Sequence, residues 1–290
     1  MVTTHSVLMT VFNREPEVLL RSLMSLLECD LTGTQVVVVN DGSSMSYDWA
    51  RTYVQKNFKR GVWHDIEPYE CWRTSKGFNN PARAFNQALL LSEGEHLFVM
   101  SSDVIVPPRT FSRGRKVDTW EMLWTPYVED TYGWPPLNGE YCGPNRLFPM
   151  PWLTAMSRTQ AFEVGGWDES YMNGLCYEDN DFIGRMVLRT GRFMGEWGYK
   201  VYHQGHIQDA YMVEDKEIAD ANARNRERTM AKWGGIPFEA EFTPFNVSRK
   251  MHESGNAVHE CVAEPGKLQK AIDETTGLVK EMGGTYAESA

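Results

Sequence analysis

Over its first hundred residues the chain alternates between two patterns of apolar positions. Residues 6–10, Ser-Val-Leu-Met-Thr, read as a short buried strand, and the uninterrupted apolar runs at 36–39 and 97–100 read as further strands, the first with the signature of burial on both faces. Between them lie segments with apolar residues three and four apart. Pro16 opens one of these, with Val18, Leu19, Leu23, Leu26 and Leu27 at helical spacing. Residues 48–58 fit a second helix, 61–78 read as strand and loop, and Pro81 opens a third helix that ends near Gly94. Strand, helix, strand is the opening unit of an open α/β sheet, a fold that binds ligands just outside the carboxyl ends of its strands. Polar turns stand at those ends: Phe12-Asn13-Arg14, Asn40-Asp41-Gly42-Ser43-Ser44 and Ser101-Ser102-Asp103.

From about Pro107 the periodicity fades. Residues 107–151 hold many of the prolines, glycines and tryptophans, and read as a loop-rich insertion or a second subdomain. Residues 152–156 fit a strand, and 159–164 a short helix before the Gly165-Gly166 break. A further helix runs to about Arg189 and is closed by Gly191. Segments 192–197 and 200–202 fit strands leading into His203-Gln204-Gly205-His206, and 214–233 fits a charged helix. The tail from 236 holds a hydrophobic segment, a turn at 254–256 and a last helix near 266–282. The expected division is therefore 1–106, 107–235 and a C-terminal extension, 236–290.

The densest chemistry lies at 173–185, where Glu178, Asp179 and Asp181 precede the amphipathic Phe182, Ile183, Met186 and Val187. Carboxylates at a helix mouth complement its free N–H groups. The same arrangement suits a general base. Composition narrows the classes around this cluster. With 42% hydrophobic and 23% charged residues in 290, the chain has ample core material. A net charge of -10 argues against a sequence-independent grip on nucleic acid, while leaving room for a small basic patch on a diphosphate. Five cysteines at 29, 71, 142, 176 and 261, with no CxxC spacing, favour reduced thiols and a cytoplasmic setting over a disulfide framework. No apolar run reaches membrane-spanning length, so no membrane insertion is expected.

Four segments, in this order, resemble the family 2 glycosyltransferases of GT-A fold. Ser6-Val-Leu-Met-Thr-Val-Phe-Asn13 resembles the family's opening strand and turn, and 36–44 its second strand and Asp-Asp-Gly-Ser loop. Residues 82–103 resemble its helix, Ala-x-Gly-Glu turn and metal-motif strand, and 157–185 its segment ending in Glu-Asp-x-Asp-Phe. The resemblance covers about residues 5–206. It implies an α/β, Rossmann-like open mixed sheet flanked by helices, and an inverting transferase that uses a nucleotide-diphospho-sugar, a UDP-sugar in the first instance.

The same resemblance implies roles. Thr10 lines the base pocket, Asp41 accepts a hydrogen bond from the base, and Asn13 sits nearby. Ser102 and Asp103 lie on the donor side, where the family carries Asp-x-Asp; here Ser101 replaces the first acid and Asp103 remains as a candidate ligand for Mn2+ or Mg2+. His206 or His203 completes the metal shell. Asp179 is the base, with Glu178 on the acceptor side or as the competing base. Trp167 and Asp168 face the acceptor or donor sugar, and Asp181 is structural, paired with the helix N-terminus or Arg185. A saccharide, protein or small-molecule acceptor is expected, and a nucleic-acid acceptor stays open. The missing first acid also leaves open a non-catalytic carbohydrate- or nucleotide-binding module on the same scaffold. A nucleotidyltransferase would want a glycine- and lysine-rich loop that 10–14 does not have.

Overall fold

A computed structural model describes residues 3–74, 78–131, 140–145, 147, 152–205, 215–239, 244–251, 256–277 and 279–280. In chain order the elements are β1 (His5–Val11), α1 (Pro16–Leu27), β2 (Thr34–Asn40), α2 (Asp48–Asn57), β3 (Gly61–Asp65), α3 (Ala82–Leu91), β4 (His96–Ser101), β5 (Val104–Ile105), α4 (Thr110–Gly114), β6 (Leu123–Asp130), β7 (Glu140–Cys142), β8 (Leu153–Ser157), α5 (Arg158–Glu163), a 3-10 turn (Glu169–Asn173), α6 (Glu178–Thr190), β9 (Arg192–His203), α7 (Lys216–Trp233), β10 (Asn246–Met251), β11 (Ala257–Val262) and α8 (Lys267–Asp273).

Among the described residues the strands form one mixed sheet in the order β10-β11-β9-β6-β8-β4-β1-β2-β3, with β5 on β9 and β7 on β6. The run β4-β1-β2-β3 is parallel. β8 runs antiparallel to both β4 and β6. The sheet crosses both expected boundaries, at 106 and at 235. Its twofold side-chain alternation sorts the core into two layers. Val7, Met9, Val36, Val38, Phe98 and Met100 face α1 and α2, meeting Leu19, Leu23, Leu26, Ala50 and Val54. Leu8, Val37, Val39, Leu97 and Val99 point the other way, onto α3 and α6, where Ala84, Phe85, Leu89, Phe182, Ile183 and Met186 close the second layer. Gly94 lets the turn before β4 reach β1: a Cβ there would stand 2.3 Å from the backbone carbonyl carbon of His5.

Two departures from the sequence reading matter for the site. The 107–151 stretch holds a buried central strand, β6, lying between β8 and β9. Pro126 interrupts its alternation, and the register against β9 jumps there from Glu196 to Lys200. Segments 192–197 and 200–202 accordingly belong to one strand. In the tail, β10 and β11 form a hairpin that extends the sheet beyond β9, and the helix placed near 266–282 covers only Lys267–Asp273. Among the described residues no helix is long and apolar enough to cross a membrane.

Candidate active site

The parallel strands β1, β2 and β4 bring three polar turns to one edge of the sheet. Thr10, half-buried, stands in register with Val39 and Ser101. Asn13 takes a left-handed φ of 44° and staples the first two turns together. Its Oδ1 accepts from the Ser44 amide at 2.9 Å and the Ser44 hydroxyl at 3.1 Å, and its own N–H donates to Ser43 Oγ at 3.0 Å. Asp41 ends β2 almost wholly buried, at 1% exposure, with its N–H donating to Val11 O at 2.9 Å. The Asn79 amide donates to its carboxylate, and Arg73 Nη2 lies 3.7 Å away. The Arg73 guanidinium covers the rings of Tyr69 at 4.6 Å and Phe12 at 5.2 Å. Burial outweighs these partners and pushes the Asp41 pKa from 3.8 up to about 6.

The β4 turn presents Asp103, 2% exposed, beside buried Ser102. Arg14 Nη2 meets Asp103 Oδ2 at 3.0 Å, and His203 Nε2 lies 3.6 Å from Oδ1. Pairing of β5 with β9 sets Val104 opposite His203, and Gln204 N donates to Asp103 O at 2.8 Å. On its far side His203 Nδ1 lies 3.8 Å from Asp130, while its ring meets Trp152 edge-on at 5.1 Å. Among the described residues no three His, Cys, Asp or Glu side chains converge as a preformed metal cage. A hard cation that arrives on a diphosphate needs only one or two protein ligands beside phosphate oxygens and water. The buried carboxylate of Asp103 with the His203 ring fits that demand.

The third component is the start of α6. Cys176 and Tyr177 lead into it with φ of 60° and 68°, two successive left-handed non-glycine residues, a backbone cost typical of functional turns. Asn225 Nδ2 donates to Cys176 O and Tyr171 O, both at 2.9 Å, and holds this turn against α7. Glu178 is buried and accepts from Asn80 Nδ2 at 2.6 Å. Glu178 and Asp179 share a hydrogen bond. Burial, and then the Asp179 charge, push the Glu178 pKa well up. Burial also raises that of Asp179, against the bond from Glu178. The two carboxyls are adjacent and both are pushed upward, so their titrations belong to the pair. Asn79 and Asn80, adjacent in sequence, therefore touch Asp41 and Glu178 at once.

Asp181 turns away from this face. It pairs with Arg185 at 2.7 Å and accepts from Trp233 Nε1 at 2.9 Å, with all three side chains buried. Lys232 lies 2.8 Å from both Asp181 and Asp168. Asp168 also accepts from the Ser170 and Thr276 amides at 3.0 and 3.1 Å. Burial works to raise the Asp168 pKa, but Lys232 and Ser170 outweigh it and hold the carboxyl at about 2.

Two sequence expectations are thereby corrected. Trp167 is fully buried, its ring stacked 3.7 Å from Phe182 and 4.8 Å from Phe85, so it has no free face for a sugar. Asp168 is consumed by Lys232 and the C-terminal segment rather than aimed at a ligand. Thr10, Asn13, Asp41, Ser102 and Asp103 gather at one sheet edge, and His203 joins Asp103. His206 lies outside the described residues. Sequence reading missed Arg14, Arg73, Asn79 and Asn80. The Asn-Asn-Pro string at 79–81 was the available signal, since an amide pair just before a helix is placed to serve two neighbours.

Residues 6–115 match the family model for glycosyl transferase family 2. Among solved structures, S. aureus TarS 1–349 in complex with UDP aligns with a TM-score of 0.55 and 17% identity, over 79% of this chain and 72% of that one. The same protein in complex with UDP-GlcNAc gives 0.57 and 15%, over 82% and 68%. GalNAc-T7 with UDP, GalNAc and Mn2+ gives 0.57 and 13%, over 80% of this chain but only 48% of that one. Among curated proteins none matches the chain. The class is a GT-A fold that carries the family 2 glycosyltransferase signature over the stretch holding Asp41 and Asp103.

Proposed function

We propose that the chain transfers a sugar from a nucleotide-diphospho-sugar, a UDP-sugar in the first instance, to an acceptor hydroxyl with inversion at the anomeric carbon. The observation that carries this reading is the Asn79-Asn80 bridge, which ties the buried Asp41 carboxylate to the adjacent carboxyls Glu178 and Asp179. The relatives favour a uridine nucleotide and a divalent ion, because the TarS structures contain UDP or UDP-GlcNAc and that of GalNAc-T7 contains UDP with Mn2+.

On this reading Asp41 accepts an N–H from the base, and Thr10 and Asn13 shape the pocket floor. Asp103 and His203 hold a divalent cation, Mn2+ or Mg2+, which neutralises charge on the diphosphate. The acceptor oxygen bonds to the anomeric carbon as the bond from that carbon to the phosphate oxygen breaks. The electron pair leaves with the nucleoside diphosphate. The acceptor proton passes to the Asp179 carboxylate, a contribution of roughly 10²–10⁴-fold for a positioned base. Glu178, whose carboxyl burial and the Asp179 charge push well up, stands beside Asp179 as its neighbour. The acceptor is a saccharide, protein or small molecule.

Nucleoside diphosphate release is the test, with UDP-, GDP- and dTDP-sugars offered in Mn2+. Asp179→Asn should keep nucleotide binding and lose turnover at least about a hundredfold. Near-normal turnover in that variant would remove Asp179 as the base, and silence of the wild type across all donors would remove the transferase reading.

A further inference from the structure

We infer that Asn225 is a positioning residue for the carboxyl pair, and that α7 aims Asp179 through the backbone turn that precedes it. The inference rests on the transferase reading above. One stripe of α7 holds the backbone of residues 171–176. Asn225 Nδ2 donates to Tyr171 O and to Cys176 O, both at 2.9 Å. The Leu175 amide donates to Ala221 O at 3.2 Å, and Thr229 Oγ1 donates to the Tyr171 hydroxyl oxygen at 3.1 Å. Positions 221, 225 and 229 are four apart, so they share one face of the helix, and all three are buried. The turn lies so close that a Cβ at Gly174 would stand 2.4 Å from Asn225 Oδ1 and 2.7 Å from Ala221 O.

The stripe holds a backbone state that its residues disfavour. Cys176 and Tyr177 have left-handed φ of 60° and 68°, a region that glycine enters without steric penalty and other residues do not. Tyr177 is the N-cap of α6, and its carbonyl accepts from the Asp181 amide at 3.1 Å. Glu178 and Asp179 follow at once, so the backbone angles at 176 and 177 set the direction in which both carboxyls leave the chain. Neither position is glycine, and the Asn225 amide offsets the penalty by capturing the Cys176 carbonyl. Loss of that amide lets the turn relax, and the aimed arrangement becomes the minor one. The nucleotide side is built on β1, β2 and β4, which pair with one another at the other end of this bridge. Asn225 therefore governs turnover and not nucleotide affinity.

The test compares wild type, Asn225→Ala, Cys176→Gly and the double variant in MnCl2, using whichever UDP-, GDP- or dTDP-sugar the wild type turns over. It measures nucleoside diphosphate release, and calorimetric affinity for that nucleoside diphosphate. Asn225→Ala should lower kcat about ten- to a hundredfold, the weight of two hydrogen bonds. Its nucleotide affinity should stay unchanged, which also certifies the fold. On the Cys176→Gly background the same substitution should lose about tenfold less, because glycine removes the penalty of one left-handed residue. An unchanged kcat in Asn225→Ala overturns the inference. A parallel fall of kcat and nucleotide affinity overturns it too, as the mark of a merely structural role, and so does an equal loss on both backgrounds. In all three cases an active wild type leaves the transferase reading standing. A wild type silent with every donor overturns that reading, and this inference with it.

Discussion

Replacing Asp41 by asparagine tests the electrostatics of the site without any substrate. The carboxyl is 1% exposed, and its pKa is raised from 3.8 to about 6, with burial as the leading cause. A group whose folded pKa is raised contributes stability below its unfolded value and loses it as pH rises through the folded one. The displacement corresponds to about 3 kcal/mol, at about 1.4 kcal/mol per tenfold. Wild type should therefore lose about 2.4 kcal/mol relative to Asp41→Asn between pH 4 and pH 7, nearly all of it between 4 and 6.5, because the unfolded carboxyl is already partly ionised at pH 4. The new amide is isosteric, and its oxygen still accepts from Asn79. Urea unfolding of both proteins at pH 4, 5, 6 and 7 gives the curve. Subtracting the two cancels every titration they share. A difference flat to within about 0.5 kcal/mol over that range would refute the burial argument. On the proposed function the same variant loses nucleotide affinity while gaining stability at neutral pH, the usual opposition at a site built around a buried charge.

Lys232→Met leaves Asp168 and Asp181 buried without their shared ammonium. Urea unfolding at pH 7 should show a loss of about 3–5 kcal/mol, shrinking below pH 4 as Asp168 takes a proton. Asn80→Ala removes the 2.6 Å donor that favours ionised Glu178. With that donor gone the Glu178 carboxyl should titrate higher still, read by carboxyl 13C NMR across pH, and an unmoved Glu178 signal would detach Asn80 from the dyad. Gly94→Ala drives a Cβ to 2.3 Å from the His5 backbone, and should cost about 1–3 kcal/mol in chemical denaturation because that neighbour is mainchain and cannot swing aside.

The elements legible in the sequence were those whose patterns are local. The four valines at 36–39 and the leucine stripe of α1 show themselves, because a buried strand and an amphipathic helix each carry their own period. The turns that hold Asp41, Asp103 and Glu178-Asp179 follow from where those elements stop. β6 was hidden because Pro126 breaks its alternation, and because its burial comes from β8 and β9, both later in the chain. Trp167 looked available for the same reason in reverse. Its position in a Gly-Gly-Trp-Asp turn suggests exposure, and only the folded structure stacks Phe85 and Phe182 over it. Arg14, Arg73, Asn79 and Asn80 gain roles only through pairings more than 30 residues apart, which no spacing rule encodes.

The charge network behind the dyad also sets an order of assembly during synthesis. Strands β1 to β4 pair among themselves from residues 5–101, so this part of the sheet can form as soon as that stretch has emerged. Asp168 is delivered early but its ammonium partner is 64 residues further on, and the Thr276 amide 108 residues further on. At translation rates of about 5–20 residues per second, Asp168 waits roughly 3 to 13 seconds for Lys232. A nascent chain should thus form the β1–β4 edge with Asp41 before the backing of α6 is in place. Protease resistance of chains arrested at graded lengths reads that order directly. The late step is set by residues that never touch a substrate.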